Sequence, residues 1–223
     1  MSEMRTEEEQ VQAIKDWWKE NGKSLLLGIG VALAAVLGWK GWQDRQAVEA
    51  ENASVLYQNM LEATVSGITT MRNPNADADQ LATAKHLAEQ LKSEYESSSY
   101  AKFAALLQAR LAVDAKDYDA ALTEIDWVLS HQPTAEMQLI ASMRKARLQA
   151  AKGDVDAALS LLNGLSAGRF QASVDELKGD LLLAKGDKDA ARDAYLAADK
   201  ALEQAGARPL LTMKLDDLAV KDK

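Results

Sequence analysis

Three times in its second half the chain repeats one short phrase: AKDYDAALTEI from Ala115, AKGDVDAALSLL from Ala151 and AKGDKDAARDAY from Ala184. Aligned on the shared Asp-x-Asp-Ala-Ala core, the copies begin at Asp117, Asp154 and Asp187, 37 and 33 residues apart. No other feature constrains folding as strongly, because a unit of this size cannot bury its apolar face alone and must stack on a neighbour. Each part of the phrase has a local physical meaning. Gly153 and Gly186 can adopt the left-handed conformation that closes one helix, with Lys116 at the matching place in the first copy. The first aspartate suits a helix N-cap, and the second puts negative charge at the positive end of the helix dipole. The alanine pair lets the new helix press against the one before it. Each copy predicts a helical hairpin. Asp-x-Asp could also be a metal-binding pair, but three copies at three helix starts favour capping.

Upstream the chain reads as helix after helix. Ala53, Leu56, Tyr57, Met60, Leu61, Thr64, Val65 and Ile68 follow helical periodicity, RNPNADAD interrupts it, and residues 81–95 resume it with Leu81, Ala84, Leu87 and Leu91. The apolar content of 48% with only 5% aromatics is mostly alanine and leucine, which suits closely packed helices. Spacing and pattern resemble the tetratricopeptide repeat of about 34 residues. The first copy carries the resemblance through Asp117, Tyr118, Ala121, Ile125, Val128 and Pro133, and the third through Gly179, Gly186, Asp187, Ala191, Tyr195 and Ala198. The first helices of the hairpins diverge, with Ala105 and Gln108 where a large aromatic and a leucine are usual. Residues 57–95 form a degenerate leading pair and residues 202–220 a capping end.

Near the N-terminus, WWKENGKSLLLGIGVALAAVLGWKGW holds 16 uncharged residues between Lys23 and Lys40, about 24 Å of helix. If Lys40 snorkels outward, residues 24–43 reach about 30 Å, enough to span a hydrocarbon core. Trp17 and Trp18 precede the run and Trp39 and Trp42 follow it, as an interfacial belt would. A cleaved signal peptide needs a small-x-small site beyond the core. The candidate Ala32-Leu33-Ala34 lies inside it. The run is apolar all round, unlike a helix buried on one face. Arg5, Lys15, Lys19 and Lys23 precede it and Lys40 and Arg45 follow, which favours a cytoplasmic N-terminus and an exported remainder. The expected organisation is a cytoplasmic amphipathic tail (1–23), a transmembrane signal anchor (24–43) and a periplasmic tetratricopeptide-like domain (44–223). The expected fold is all-α: an N-terminal transmembrane helix followed by a helical-hairpin solenoid. Thr6 with Glu9 makes a capping box for a tail helix that Asn21-Gly22 would end. Gly30, Ala34 and Gly38 recur every four residues, a ridge on which a second transmembrane helix could pack.

The net charge is −8, and residues 1–45 hold six basic against seven acidic side chains, so the acid belongs chiefly to the repeats. Such a domain repels phosphate backbones, and nucleic acid is not an expected partner. The absence of cysteine excludes disulfides, thiol nucleophiles and zinc-thiolate sites. His86 and His131 fall in different units, and no Ser-His-Asp pattern, phosphate-cradling loop or metal-spaced cluster accompanies them. No enzyme, cofactor, metal or small-molecule substrate is expected. Phe103, Leu106, Arg110 and Val113 share one face of their helix, and Ile140, Met143, Arg147 and Ala150 share the matching face of the next. These positions either line a trough for extended polypeptide or pack on a neighbouring helix, with each arginine paired to a nearby aspartate.

Taken together, IKDWWKENGK, one anchor ending GWKGWQ, divergent repeats and a terminal RPLLTMKLDDLA resemble the YfgM family over nearly the whole chain. That resemblance implies a non-enzymatic ancillary subunit of the SecYEG translocon in the bacterial inner membrane. It also implies work alongside a membrane-anchored periplasmic chaperone of the peptidyl-prolyl isomerase class. A scaffold for an envelope assembly unrelated to secretion would use the same anchor and repeats.

Overall fold

The computed structural model describes residues 7–69, 74–202 and 208–219. Among these, all regular structure is helical. In chain order it comprises α1 (Glu7–Thr69), α2 (Pro74–Glu94), α3 (Ser99–Asp114), α4 (Tyr118–Ser130), α5 (Ala135–Ala151), α6 (Val155–Asn163), a 3₁₀ turn (Gly168–Phe170), α7 (Gln171–Lys185), α8 (Lys188–Ala201) and α9 (Pro209–Asp217). The chain divides into two compact units, Met1–Asn52 and Ala53–Lys223.

In the first unit α1 runs without interruption, so Asn21-Gly22 does not end a tail helix as its composition predicts. The Asn21 side chain donates to the Trp17 carbonyl at 3.1 Å, and Gly22 lies against the Trp18 indole, where an added Cβ would stand 3.1 Å from the ring. Glycine commonly closes a helix by turning left-handed. Here it stays helical beneath a tryptophan. Thr6 of the expected capping box lies outside the described residues. α1 contains a stretch long and apolar enough to cross a membrane. Leu27, Val31, Val36 and Leu37 are each more than half exposed, so the unit's own packing does not cover them.

In the second unit the repeat phrase forms the turns it predicts. Lys116, Gly153 and Gly186 have φ of 61°, 95° and 91°. Immediately after them, the backbone N–H groups of Ala120, Ala157 and Ala190 donate to the carboxylates of Asp117, Asp154 and Asp187 at 3.0, 3.0 and 3.1 Å. Ala121, Ala158 and Ala191 are fully buried at the close approach that follows. Lys152 pairs with Asp119, and Lys185 with Asp156 at 2.6 Å, so the end of each new hairpin's first helix meets the first turn of the previous hairpin's second helix.

Among the described residues the core consists of four successive clusters rather than one. Ala53, Met60, Ala84, Leu91 and Ala104 join the end of α1 to α2 and α3. Ala105, Ile125, Val128 and Ala141 join α3, α4 and α5, while Met143, Leu162, Val174 and Leu177 join α5, α6 and α7. Ala172, Tyr195 and Leu211 join α7, α8 and α9. Each hairpin thus buries its apolar face against its neighbours, as a linear repeat array requires. The second helix begins at Pro74, earlier than the periodicity predicts. Arg72 and Asn73 of the interruption and residues 203–207 and 220 of the capping end lie outside the described residues.

The terminal motif has a local structural role. Pro209 occupies the first turn of α9, where its missing N–H costs nothing, and Leu211 is buried. Arg208 reaches Glu176 at 3.0 Å, and Lys214 reaches Glu176 at 2.9 Å and Asp180 at 2.6 Å, which clasps α9 to α7. Burial would raise the Glu176 pKa, but the hydrogen bonds and charges of Lys214 and Arg208 outweigh it and hold the carboxyl below its ordinary value.

Candidate functional site

Two adjoining hollows open on the α3 and α5 side of the second unit. One, of about 580 Å³, is lined by Tyr57, Phe103, Leu106, Met137 and Ile140 among others. The other, of about 440 Å³, is lined by Val113, Tyr118, Ile125, Arg147 and Leu148 among others. Arg110 and Arg144 belong to both linings. Large apolar side chains remain accessible here: Phe103 is 41% exposed, Ile140 39% and Val113 36%.

Local chemistry sets this geometry. The Ser98 hydroxyl caps α3 by accepting from the Tyr100 N–H at 3.0 Å. One turn later Lys102 is buried and donates to the carbonyls of Glu96, Ser97 and Ser98 at 3.3, 3.0 and 3.3 Å. Its burial lowers the ammonium pKa, with Glu96 opposing. These bonds hold the start of α3 so that Phe103 and Leu106 face the hollow. Tyr57 stands 6.2 Å from the Phe103 ring and 5.6 Å from Tyr100, centroid to centroid, and burial raises its phenol pKa. On α5, Thr134 caps the helix through the Met137 N–H at 3.2 Å.

Of the expected trough residues, Phe103, Leu106, Arg110, Val113, Ile140 and Arg147 line the hollows. Met143 does not. It is 7% exposed and packs with Leu139, Ala146, Leu162 and Val174. The exposed face of α5 runs through Ile140, Arg144 and Arg147, with Arg144 in the place where equivalence with α3 predicts Met143. The reason is that α6 and α7 cover the Met143 side. Arg144 is the residue that sequence reasoning passes over, and its i+4 relation to Ile140 is the signal that identifies it. Arg110 is partly committed, with its Nε 3.1 Å from the Asp114 carboxylate. Gly30, Ala34 and Gly38 lie along α1 in the first unit, with open space around both glycines.

His86 is exposed on α2, and His131 closes α4, its ring stacked on Trp127 at 4.0 Å. Among the described residues no three His, Asp or Glu side chains are grouped as a metal site requires.

The capped hairpins, the chained core and the open α3–α5 face define a helical-repeat protein of the tetratricopeptide class. The model of the tetratricopeptide repeat-like domain matches residues 15–220. The chain is 31% identical over 215 residues to the ancillary SecYEG translocon subunit of Haemophilus influenzae, covering 95% of this chain and 97% of that protein. It is 29% identical to the Escherichia coli K12 protein of the same name (96% and 97% covered) and 29% identical to that of Neisseria gonorrhoeae (95% and 97%). No solved structure matches it significantly. The chain belongs to the family of ancillary SecYEG translocon subunits.

Proposed function

We propose that this protein is a non-enzymatic ancillary subunit of the Sec translocon. In this reading the apolar segment of α1 anchors it in the bacterial inner membrane, with the N-terminus cytoplasmic and the repeats periplasmic. The repeats act as a chaperone or chaperone adaptor, holding emerging exported chains and a membrane-anchored chaperone of the peptidyl-prolyl isomerase class. The carrying observation is the open α3–α5 face, where accessible apolar side chains alternate with guanidinium groups that can take backbone carbonyl or carboxylate oxygens. Lipid is the natural cover for the exposed apolar side chains of α1. The excess of lysine and arginine before the segment supports the orientation.

Photo-crosslinking residues at Gly30, Gly38 and Ile140 test the assignment in cells exporting protein. Adducts to channel subunits from α1, and to chaperone or nascent chain from Ile140, are expected. Adducts only to other envelope proteins would replace the reading with that of an unrelated scaffold. For orientation, a cysteine at the exposed Ser97 should react with an impermeant maleimide on intact spheroplasts, and labelling only after lysis would reverse it.

A further inference from the structure

The α3–α5 face is cationic in a domain that is otherwise acidic. Three arginines, Arg110, Arg144 and Arg147, line the smaller hollow, and no acidic side chain shares that lining. The larger hollow has one, Glu136, which Arg169 engages at 3.4 Å. Arg110 is partly neutralised by Asp114. Arg144 and Arg147 are different: among the described residues neither guanidinium has a hydrogen-bond or ion-pair partner. Two unpartnered cations one helical turn apart, beside the apolar Val113 and Leu148, are electrostatically incomplete. Nearby apolar surface excludes water and strengthens their attraction for an anion.

The position of the charge narrows the ligand further. Arg110 and Arg144 are shared by both hollows, so the positive centre lies where they meet, with an apolar basin on either side. One basin offers Tyr57, Phe103 and Ile140, and the other Val113, Tyr118 and Leu148. We infer that the groove selects an extended polypeptide segment with an internal Asp or Glu flanked on both sides by large apolar residues. The carboxylate docks on Arg144 and Arg147, and its apolar neighbours fill the two hollows. A planar guanidinium can hold a carboxylate through two parallel N–H···O bonds, so an amide of equal size is a poor substitute. This inference rests on the groove being the polypeptide-binding surface and specifies what that surface reads.

The test uses the full chain in lipid nanodiscs and fluorescent nonapeptides with blocked termini. Their central residue is Glu, Gln or Lys between leucine and phenylalanine. A fourth peptide has a central Gln and a free C-terminal carboxylate. Anisotropy should show the Glu peptide binding about tenfold or more tightly than the Gln peptide, with the gap shrinking as salt rises. Combined Arg144→Gln and Arg147→Gln should erase the gap between the Glu and Gln peptides, with helicity verified by circular dichroism, and a gap that survives in the double variant would overturn the docking of the carboxylate on these arginines. Equal binding of the Glu and Gln peptides would overturn the acidic preference while leaving the groove reading intact. A free C-terminus matching the central Glu would overturn the internal placement. No binding by any peptide, together with no adducts from Ile140, would remove the groove reading and this inference with it.

Discussion

Gly179 gives the sharpest test of how the repeats pack. It sits within α7, and a Cβ placed on it would stand 2.4 Å from both Cδ1 and Cε1 of Tyr195 and 3.0 Å from Cζ. Those distances are far inside van der Waals contact, so the ring or the backbone must move. The ring has little freedom: Tyr195 is fully buried, and its hydroxyl donates to Asp180 at 2.8 Å. Overpacking of this kind costs about 1–3 kcal/mol, and losing the tyrosine hydrogen bond would add about 1 kcal/mol. Alanine returns about 1 kcal/mol as the better helix former. Gly179→Ala should therefore lose about 1–3 kcal/mol. For a chain of this size that lowers the melting temperature by about 2–4 °C per kcal/mol. Circular dichroism melts of the full chain in detergent would measure it. In a Tyr195→Leu background the same substitution should become neutral or stabilising, because the clash is gone and only helix propensity remains. A single variant that melts at or above the parent would refute the close-approach argument.

The three repeat turns differ in one respect, since Lys116 is a non-glycine residue at positive φ. Lys116→Gly should stabilise the chain by about 1 kcal/mol in urea titrations, and no gain would mean the left-handed turn is unstrained. Removing a cap should act in the opposite direction: Asp154→Ala, which orphans the Ala157 N–H, should cost about 1 kcal/mol, with Asp154→Asn retaining most of it. The α9 clasp predicts a pH dependence. Because the Glu176 carboxyl is held below its ordinary value, its contribution is complete above the unfolded glutamate value of about 4.3 and is lost as pH falls through the folded one. Hydrogen exchange at the α9 amides, corrected for intrinsic rates, should lose protection in acid, and Lys214→Met should flatten that response. Unchanged α9 protection at pH 3 would contradict it.

What the sequence revealed follows the range of the interaction. A capping aspartate speaks to an amide three residues away, and a left-handed glycine to its own backbone, so Asp117, Gly153 and their equivalents are legible without tertiary knowledge. The exposed side of α3 is legible for a similar reason, since Phe103, Leu106, Arg110 and Val113 follow simple helical spacing. On α5 the same reasoning finds Ile140 and Arg147 but takes Met143 in place of Arg144, because α6 and α7 cover the Met143 side and spacing alone does not register them. Asn21-Gly22 misleads because glycine permits a left-handed turn without requiring one, and here it stays helical with the Trp18 ring of the preceding turn against it. The clasp of Arg208 and Lys214 onto Glu176 joins residues more than thirty positions apart, which no local pattern announces.

Among the described residues the fully buried members of each of the four clusters come from three consecutive helices, and Trp127 of α4 packs against both the first cluster and the second. A polypeptide organised this way can acquire tertiary structure progressively while it is still being made. The buried residues of the earliest cluster are all present once Ala104 is available, Trp127 then covers them from α4, and each later hairpin arrives to find its template already standing. Maturation then proceeds in one direction, and an interrupted chain would be left with a properly formed leading portion rather than a collapsed whole.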